Sequence, residues 1–189
     1  MYRLVTVEDS IRVPPEKLNK NVKDAVKESI SDQMEGLLDH RLGVILCCVS
    51  VDSVGEGKII AGDPGVHYQT RFLLLTFKPE MYEIVNGEVI DNTEFGSFVR
   101  IGPMDGLIHI SQLMDDFVSY DNKNAVFLGK ESKHTLKEKD LVRARVISVS
   151  LGKGDNKIGL TMRQLGLGAV QWLEEEKRKK KKIEKEERK

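Results

Sequence analysis

The stretch that decides the fold is residues 87–113, Gly-Glu-Val-Ile-Asp-Asn-Thr-Glu-Phe-Gly-Ser-Phe-Val-Arg-Ile-Gly-Pro-Met-Asp-Gly-Leu-Ile-His-Ile-Ser-Gln-Leu. Successive side chains of a β-strand point to opposite faces, so Val99 and Ile101 share one face while Phe98 and Arg100 share the other. If the aliphatic pair belongs to a core, Phe98 and Arg100 point outward. The stretch therefore predicts a strand that carries an aromatic ring and a cation on its outer surface.

Two further residues of this stretch are predicted to join Phe98. Phe95 would face inward on a regular strand, but a bulge at Gly96 would turn it to the side of Phe98. On the next strand, Ile108 and Ile110 are expected to point inward, which sends His109 outward. The result is an expected cluster of two phenyl rings and an imidazole.

The same alternation predicts cations near that cluster. On the last strands of the pattern, the outward positions hold Arg143, Arg145, Lys157, Thr161 and Arg163. Exposed rings interleaved with cations suit single-stranded nucleic acid, because bases stack on rings and phosphates pair with cations. The residues alone leave a second interpretation open, in which Phe95 and Phe98 are core residues or lie under an insertion.

Residues 82–163 have the pattern of a small barrel. Five short strand-like runs occur there, at 82–91, 96–101, 107–110, 141–149 and 157–162. Five strands in about 80 residues is the size of a small closed barrel. Residues 116–140 are too long for a hairpin connection, and Ala-Val-Phe-Leu at 125–128 suggests an inserted strand pair.

The first 80 residues predict a separate α+β domain. Residues 2–7, 44–51 and 72–77 are short β-branched or aromatic runs bounded by turn residues, which indicates strands. An apolar residue recurs every three or four positions at Leu18, Val22, Ala25, Val26, Ile30 and Met34. That spacing predicts an amphipathic helix ending near Gly36. We expect an RNP-like domain, a small antiparallel sheet with a packed helix.

A glycine-rich segment joins two of these strands. Its Gly57 to Gly62 spacing is that of a phosphate loop, but Asp63 and Pro64 follow where Lys-Ser/Thr would be needed, so nucleotide binding is disfavoured. Two interpretations remain: a mobile hairpin tip, or a protruding loop that docks on another protein. The docking residues would be Gly55, Gly57, Lys58, Ile59, Ile60, Gly62 and Asp63.

The strand over residues 72–77 is apolar on both faces. A strand of this kind needs cover on both sides of its sheet. The helix and the second domain could supply that cover, or another subunit could. The predicted partner-contact residues are Phe72, Leu74 and Phe77.

Composition and charge limit the classes of protein. Thirty basic residues balance thirty acidic ones and 40% of residues are hydrophobic, which disfavours a disordered chain and a strongly basic nucleic-acid binder.

Adjacent Cys47 and Cys48 cannot form an unstrained disulfide on a strand, so we expect reduced thiols and a cytoplasmic compartment. The four histidines have no metal-ligand spacing. No signal peptide, membrane span, metal or cofactor is expected.

The C-terminal part, residues 169–189, differs from the rest of the chain in its composition. From residue 173 onward it has nine Lys or Arg and six Glu. This composition predicts a charged, solvated helix that buries nothing. Nucleic-acid contact through the basic run at 177–182 is a less favoured alternative.

Residues 82–165 resemble the S1 RNA-binding domain, an OB-fold barrel. The family pattern of Gly-x-Val, Phe-Gly-x-Phe-Val and Gly-Leu-x-His-Ile-Ser matches residues 87–89, 95–99 and 106–111, in that order. The resemblance implies a five-stranded OB-fold over residues 82–168. It also implies an RNA platform formed by Phe95, Phe98 and His109.

A wider resemblance covers nearly the whole chain. Gly-Glu-Gly-Lys-Ile-Ile-Ala-Gly-Asp at 55–63, Phe-Lys-Pro at 77–79 and Ile-Gly-Leu-Thr-Met-Arg-Gln at 158–164 are similar to the E-prime family of archaeal RNA polymerase subunits. That family is the counterpart of the seventh-largest subunit of eukaryotic RNA polymerase II. The resemblance implies a polymerase stalk that forms a heterodimer with a small helical subunit (archaeal F), called the helical partner below. It further implies docking on the core enzyme through the N-terminal tip and a barrel presented to emerging single-stranded RNA.

Three functions of different classes follow from these patterns. The favoured one is a non-catalytic RNA polymerase subunit, and the second is a free-standing S1-domain RNA-binding factor in translation or RNA decay. An enzyme is the weakest, because no carboxylate pair, metal cluster or activated nucleophile can be recognised in the sequence. Purification of the native chain with or without polymerase subunits would separate the first two.

Overall fold

The computed structural model describes residues 1–152 and 156–187, with side chains up to residue 178. Its internal contacts divide the chain after Lys78 into two units. Among the described residues, no helix combines the length and the apolar composition that crossing a membrane requires.

The N-terminal unit is a four-stranded antiparallel sheet with one helix. The elements are β1 (Tyr2–Val13), α1 (Val22–Met34), β2 (Leu38–Asp39), β3 (Gly43–Ile59) and β4 (Val66–Phe77), and the strand order is β1-β4-β3-β2. The strands are longer than predicted, because β3 and β4 continue as a hairpin through most of the glycine-rich segment. The helix starts four residues later than the predicted stripe, at Val22, because the Asn21 side chain caps it by accepting from Lys23 N–H.

One face of this sheet packs against α1. Ala25, Val26 and Ile30 of the helix are buried in a cluster with Ile11, Val13, Ile45, Cys48, Phe72 and Leu74. This corrects the predicted partner contact, because Phe72 and Leu74 lie inside the domain's own core. Phe77 is also fully buried, with its ring 4.9 Å from that of Tyr2.

The opposite face of the sheet is apolar and partly exposed. Leu4 pairs with Leu75 and Thr6 with Leu73 across β1 and β4, while Cys47 pairs with Leu75 from β3. Tyr2 and Leu4 are exposed, and Leu73, Leu75 and Cys47 are half-buried. We call Tyr2, Leu4, Cys47, Leu73 and Leu75 the outer sheet face.

Strand β3 has an unusual residue pattern. Its pairing with β4 shifts between Ile45 and Cys47, Cys48 and Ser50, Val51 and Ser53, and Val54 and Gly57. Because each bulge inserts an extra residue, the side chains that pack toward the helix recur at every third position, at Ile45, Cys48, Val51 and Val54. Cys47 and Cys48 face opposite sides of the sheet, as predicted, and both are free thiols.

The second unit is built on a closed five-strand barrel, which confirms the predicted fold. Its strands are β5 (Ile84–Thr93), β6 (Gly96–Arg100), β7 (Asp105–His109), β8 (Val118–Asp121), β9 (Val126–Gly129), β10 (Thr135–Leu136), β11 (Leu141–Ser150), β12 (Lys157–Thr161) and β13 (Gly168–Ala169). The barrel order is β12-β7-β6-β5-β11, and pairing of β11 with β12 closes it. Val99, Ile108, Val146 and Leu160 are buried inside it, as the alternation predicted.

The insertion forms its own three-stranded antiparallel sheet, in the order β10-β9-β8, which adds one strand to the predicted pair. The Asp116 carboxylate accepts from Ser132 N–H, Ser132 Oγ, Glu131 N–H and Phe117 N–H. These donors, Ser132 N–H foremost, hold the pKa of Asp116 below its usual value. Asn92 of β5 donates to the Ala125 and Leu136 carbonyls, which fastens the insertion to the barrel.

The C-terminal helix α2 (Val170–Glu187) begins directly after β13. Its first turn is anchored, which corrects the prediction of a helix that buries nothing. Trp172 is 7% exposed, stacks on the His134 ring at 4.9 Å, and donates from Nε1 to the Thr135 carbonyl at 3.1 Å. The predicted nucleic-acid contact through residues 177–182 concerns side chains that lie mostly outside the described part of the chain. Arg188 and Lys189 also lie outside it.

Candidate nucleic-acid interface

Phe95 lies in the turn between β5 and β6. Thr93 pairs with Gly96, so Glu94 and Phe95 form a two-residue hairpin loop. The pairing shift on β5 lies between Val89 and Asp91, and the predicted bulge at Gly96 is therefore wrong. The turn itself directs Phe95 outward, and its side chain is 50% exposed.

Gly96 allows β6 and β7 to approach closely. A Cβ at this position would lie 2.3 Å from the Ile108 carbonyl oxygen, well inside van der Waals contact. The close pairing sets Gly96 opposite His109 and Phe98 opposite Leu107. The Phe95 and Phe98 rings meet edge to face with centroids 5.9 Å apart.

The His109 ring has a defined orientation. Its Nδ1 lies 2.9 Å from Ser111 Oγ and accepts from Ser111 N–H at 3.3 Å. Because Nδ1 accepts from the backbone, the neutral ring carries its proton on Nε2. An exposed ring with a fixed N–H donor can both stack on a base and donate to it.

A groove of about 670 Å³ runs beside these rings. Phe98, His109 and Lys157 line it, and so do Leu107, Gln112, Ile147 and Ser148, which sequence reasoning did not select. Alternation along β7 could have identified Leu107, because Ile108 is buried. Gly159 shapes the floor, since a Cβ there would lie 2.3 Å from Ser148 Oγ. We call Phe95, Phe98, His109 and this groove the platform.

The predicted cations separate into two groups. Arg100 lies on β6 beside Phe98 and pairs with Asp105 at 3.2 Å, and Lys157 lines the groove. Arg143, Arg145 and Arg163 do not line it. Arg143 and Arg145 pair with Asn86 and Ile84 in the first half of β5, whereas Phe98 pairs with Asp91 in the second half.

The two remaining outward predictions have different outcomes, because Arg163 is exposed as predicted and Thr161 is not. Arg163 forms an ion pair with Asp115 at 2.7 Å, away from the groove lining. Thr161 was predicted to face outward but is buried, because its hydroxyl donates to Gln112 Oε1 at 2.8 Å. The structure thus brings together Phe95, Phe98, Arg100, His109 and Lys157 from the predicted set.

The predicted tip is the end of the β3–β4 hairpin. Gly55, Gly57, Lys58 and Ile59 are part of β3, and the turn proper is residues 60–65. Gly62 has a left-handed φ of +88°, which favours glycine. Ile59 and Ile60 are 79% and 52% exposed at this end.

A closed five-strand barrel of this strand order, with paired rings beside a groove on its surface, has the architecture of an OB-fold. Residues 78–163 match the S1 RNA binding domain, and residues 8–64 match the SHS2 domain found in the N terminus of Rpb7p/Rpc25p/MJ0397. Both matches confirm the fold expected from the sequence.

Full-length relatives are RNA polymerase subunits. DNA-directed RNA polymerase subunit Rpo7 of Saccharolobus shibatae is 36% identical over 180 residues, covering 94% of this chain and 100% of that protein. DNA-directed RNA polymerase II subunit rpb7 of Dictyostelium discoideum is 23% identical, covering 77% of this chain and 86% of that protein. Ribonuclease R of Buchnera aphidicola is 35% identical over 82 residues, 42% of this chain and 11% of that protein. The chain belongs to the Rpo7 family of DNA-directed RNA polymerase subunits.

Proposed function

We propose that this chain is a non-catalytic, cytoplasmic stalk subunit of RNA polymerase that holds emerging single-stranded RNA on its platform. Membership of the Rpo7 family supports the polymerase, and the S1 match supports RNA as the ligand. In this role the chain supplies binding surfaces, and the polymerisation chemistry belongs to other subunits.

The exposure of Phe95 next to Phe98 is the observation that carries the RNA proposal. Stacking of a base on an aromatic ring contributes roughly 1–3 kcal/mol, so two rings offer a gross gain of about 2–6 kcal/mol. With no net charge to attract phosphates, the isolated chain should bind RNA with a Kd on the order of 10⁻⁴ to 10⁻⁶ M. Attachment beside an RNA exit path raises the effective RNA concentration and makes weak binding sufficient.

Replacing the two rings tests this proposal. We expect Phe95→Ala with Phe98→Ala to weaken binding of a short single-stranded RNA at least about tenfold, measured by fluorescence anisotropy. Phe117→Ala is the matched control, because Phe117 is 73% exposed in the full chain and does not line the groove. Equal affinity of the double variant and the wild type would exclude the platform as the RNA site.

The outer sheet face supports a heterodimer with the helical partner. Its exposed Tyr2 and Leu4, with half-buried Leu73 and Leu75, form an apolar surface of the kind that protein partners cover. This surface replaces the buried Phe72, Leu74 and Phe77 as the proposed contact. We expect Leu4→Asp to reduce co-purification of the helical partner and to leave RNA affinity of the free chain unchanged.

The hairpin end at Ile59 and Ile60 is the proposed contact with the polymerase core. Affinity purification of the native chain, followed by mass analysis, tests the whole assembly. Recovery of core subunits and of the helical partner is expected. Recovery of the chain alone, or with ribosomal or RNA-decay proteins, would instead favour a free-standing S1-domain factor.

A further inference from the structure

The turn that joins β3 and β4 is fastened by one carboxylate. Asp63 Oδ1 accepts from Arg12 Nη2 at 2.7 Å and from Gly65 N–H at 2.9 Å. Asp63 Oδ2 accepts from Arg12 Nε at 2.8 Å and lies 2.9 Å from His67 Nε2. We call Arg12, Asp63, Gly65 and His67 the Asp63 clamp.

The clamp ties the turn to β4, which follows it, and to β1, which pairs with β4. Arg12 belongs to β1 and His67 to β4, so the bidentate pair spans 51 positions of sequence. Gly65 leaves room for the guanidinium, because a Cβ there would lie 3.1 Å from Arg12 Cζ. The hydrogen bond from Arg12, followed by that from Gly65 N–H, holds the pKa of Asp63 well below its usual range. The carboxylate is therefore charged and paired.

The clamped turn presents an apolar surface. Ile59 and Ile60 are adjacent and exposed, and Ala61, Gly62 and Pro64 beside them are exposed too. Asp63 is the single ionisable side chain among residues 59–64. Since Arg12 and His67 engage its carboxylate, residues 59–64 offer a partner hydrocarbon, with the exposed Lys58 of β3 beside it.

We propose that Asp63 is a positioning residue that fixes this turn so that Ile59 and Ile60 enter an apolar socket on the polymerase core. The inference rests on the proposed docking of the hairpin end. A turn held in its bound shape loses less conformational entropy on association. The clamp also keeps the carboxylate from being desolvated unpaired, which would oppose entry into an apolar socket.

Binding of full-length variants, assembled with the helical partner, to immobilised core polymerase tests the proposal. Ile59→Ala and Ile60→Ala should each weaken docking about tenfold, as contact residues at an interface centre do. Arg12→Ala and Asp63→Ala should each weaken it to a similar degree. The double variant Arg12→Ala with Asp63→Ala should be no more than about twofold weaker than either single variant, because either change alone opens the clamp.

Two variants separate positioning from general damage. Arg12→Lys keeps a cation but loses the planar fork, so its docking affinity should fall between wild type and Arg12→Ala. Arg71→Ala is the matched control, because it removes an exposed ion pair with Glu8, at 3.8 Å on the same two strands, and should stay within about twofold of wild type. The NMR signal of the Gly65 amide should shift in Asp63→Ala, while RNA affinity stays unchanged.

The outcomes distinguish this inference from the proposed function. If the isoleucine variants lose docking while Arg12→Ala and Asp63→Ala stay within about twofold of wild type, the positioning role is wrong and the docking stands. If the isoleucine variants dock normally, the hairpin end is not the contact. If the clamp variants lose RNA affinity in parallel with docking, the damage is global and the positioning role is overturned.

Discussion

At the scale of single residues, Gly96 determines whether the platform can form. Because its missing side chain leaves the Ile108 carbonyl room to approach, Gly96→Ala should push β6 away from β7. We expect a loss of about 1–3 kcal/mol in the free energy of unfolding, measured by urea denaturation. Gly152→Ala is the control, since no atom of the described residues lies within 4 Å of a Cβ added there. Equal stability of both variants would contradict the close approach.

The neighbouring cysteines should differ in reactivity. Cys48 packs beneath α1, and burial raises the pKa of its thiol, whereas Cys47 is half-exposed on the outer sheet face. A thiol reacts as its thiolate, so a raised pKa and poor access both slow alkylation. We expect iodoacetamide at about pH 8, near the ordinary thiol pKa, to modify Cys47 well before Cys48, as followed by peptide mass analysis. Similar rates at the two positions would count against the burial of Cys48 in solution.

At the scale of secondary-structure elements, the C-terminal helix should contribute to the stability of the barrel unit. Trp172 is nearly buried and makes both a ring stack and a hydrogen bond to the insertion. Trp172→Ala should therefore cost about 3–5 kcal/mol in unfolding free energy. Gln171→Ala, on the exposed side of the same turn, should cost less than about 1 kcal/mol. If Trp172→Ala left the free energy of unfolding unchanged, the solvated helix predicted from composition would be the better description of α2.

These elements also show what the sequence could and could not predict. The barrel strands follow a two-residue alternation, so Val99, Ile108 and Leu160 could be assigned to the core from pattern alone. The turn position of Phe95 could not, because hairpin register depends on pairing between strands. Nor could the anchoring of Trp172, since its partners His134 and Thr135 lie in the insertion and are brought near by tertiary folding.

At the scale of the whole molecule, charge balance predicts a weak dependence of RNA binding on salt. Among the described residues, the cations beside the platform are Arg100, which pairs with Asp105, and Lys157, which lines the groove. A single-stranded ligand that displaces about two counterions gives a slope of about −1.4 in a plot of log K against log salt concentration. Titrations between about 50 and 200 mM salt can measure this. A slope steeper than about −3 would mean that cations elsewhere, such as the basic residues at 177–182, bind most of the RNA phosphates.

On β3 the side chains that face the helix recur at every third position, and this spacing affects how the β3–β4 hairpin can change in evolution. Each extra residue, such as Leu46, Val49 or Asp52, has no partner of its own on β4, while the residues on either side keep theirs. Losing one of them would straighten the ribbon locally without disturbing the pairs beyond it. Gain or loss of one such residue would thus change the local twist and direction of the β3–β4 hairpin, while the pairs with β4 that set its length, and its isoleucine-bearing end, stay unchanged.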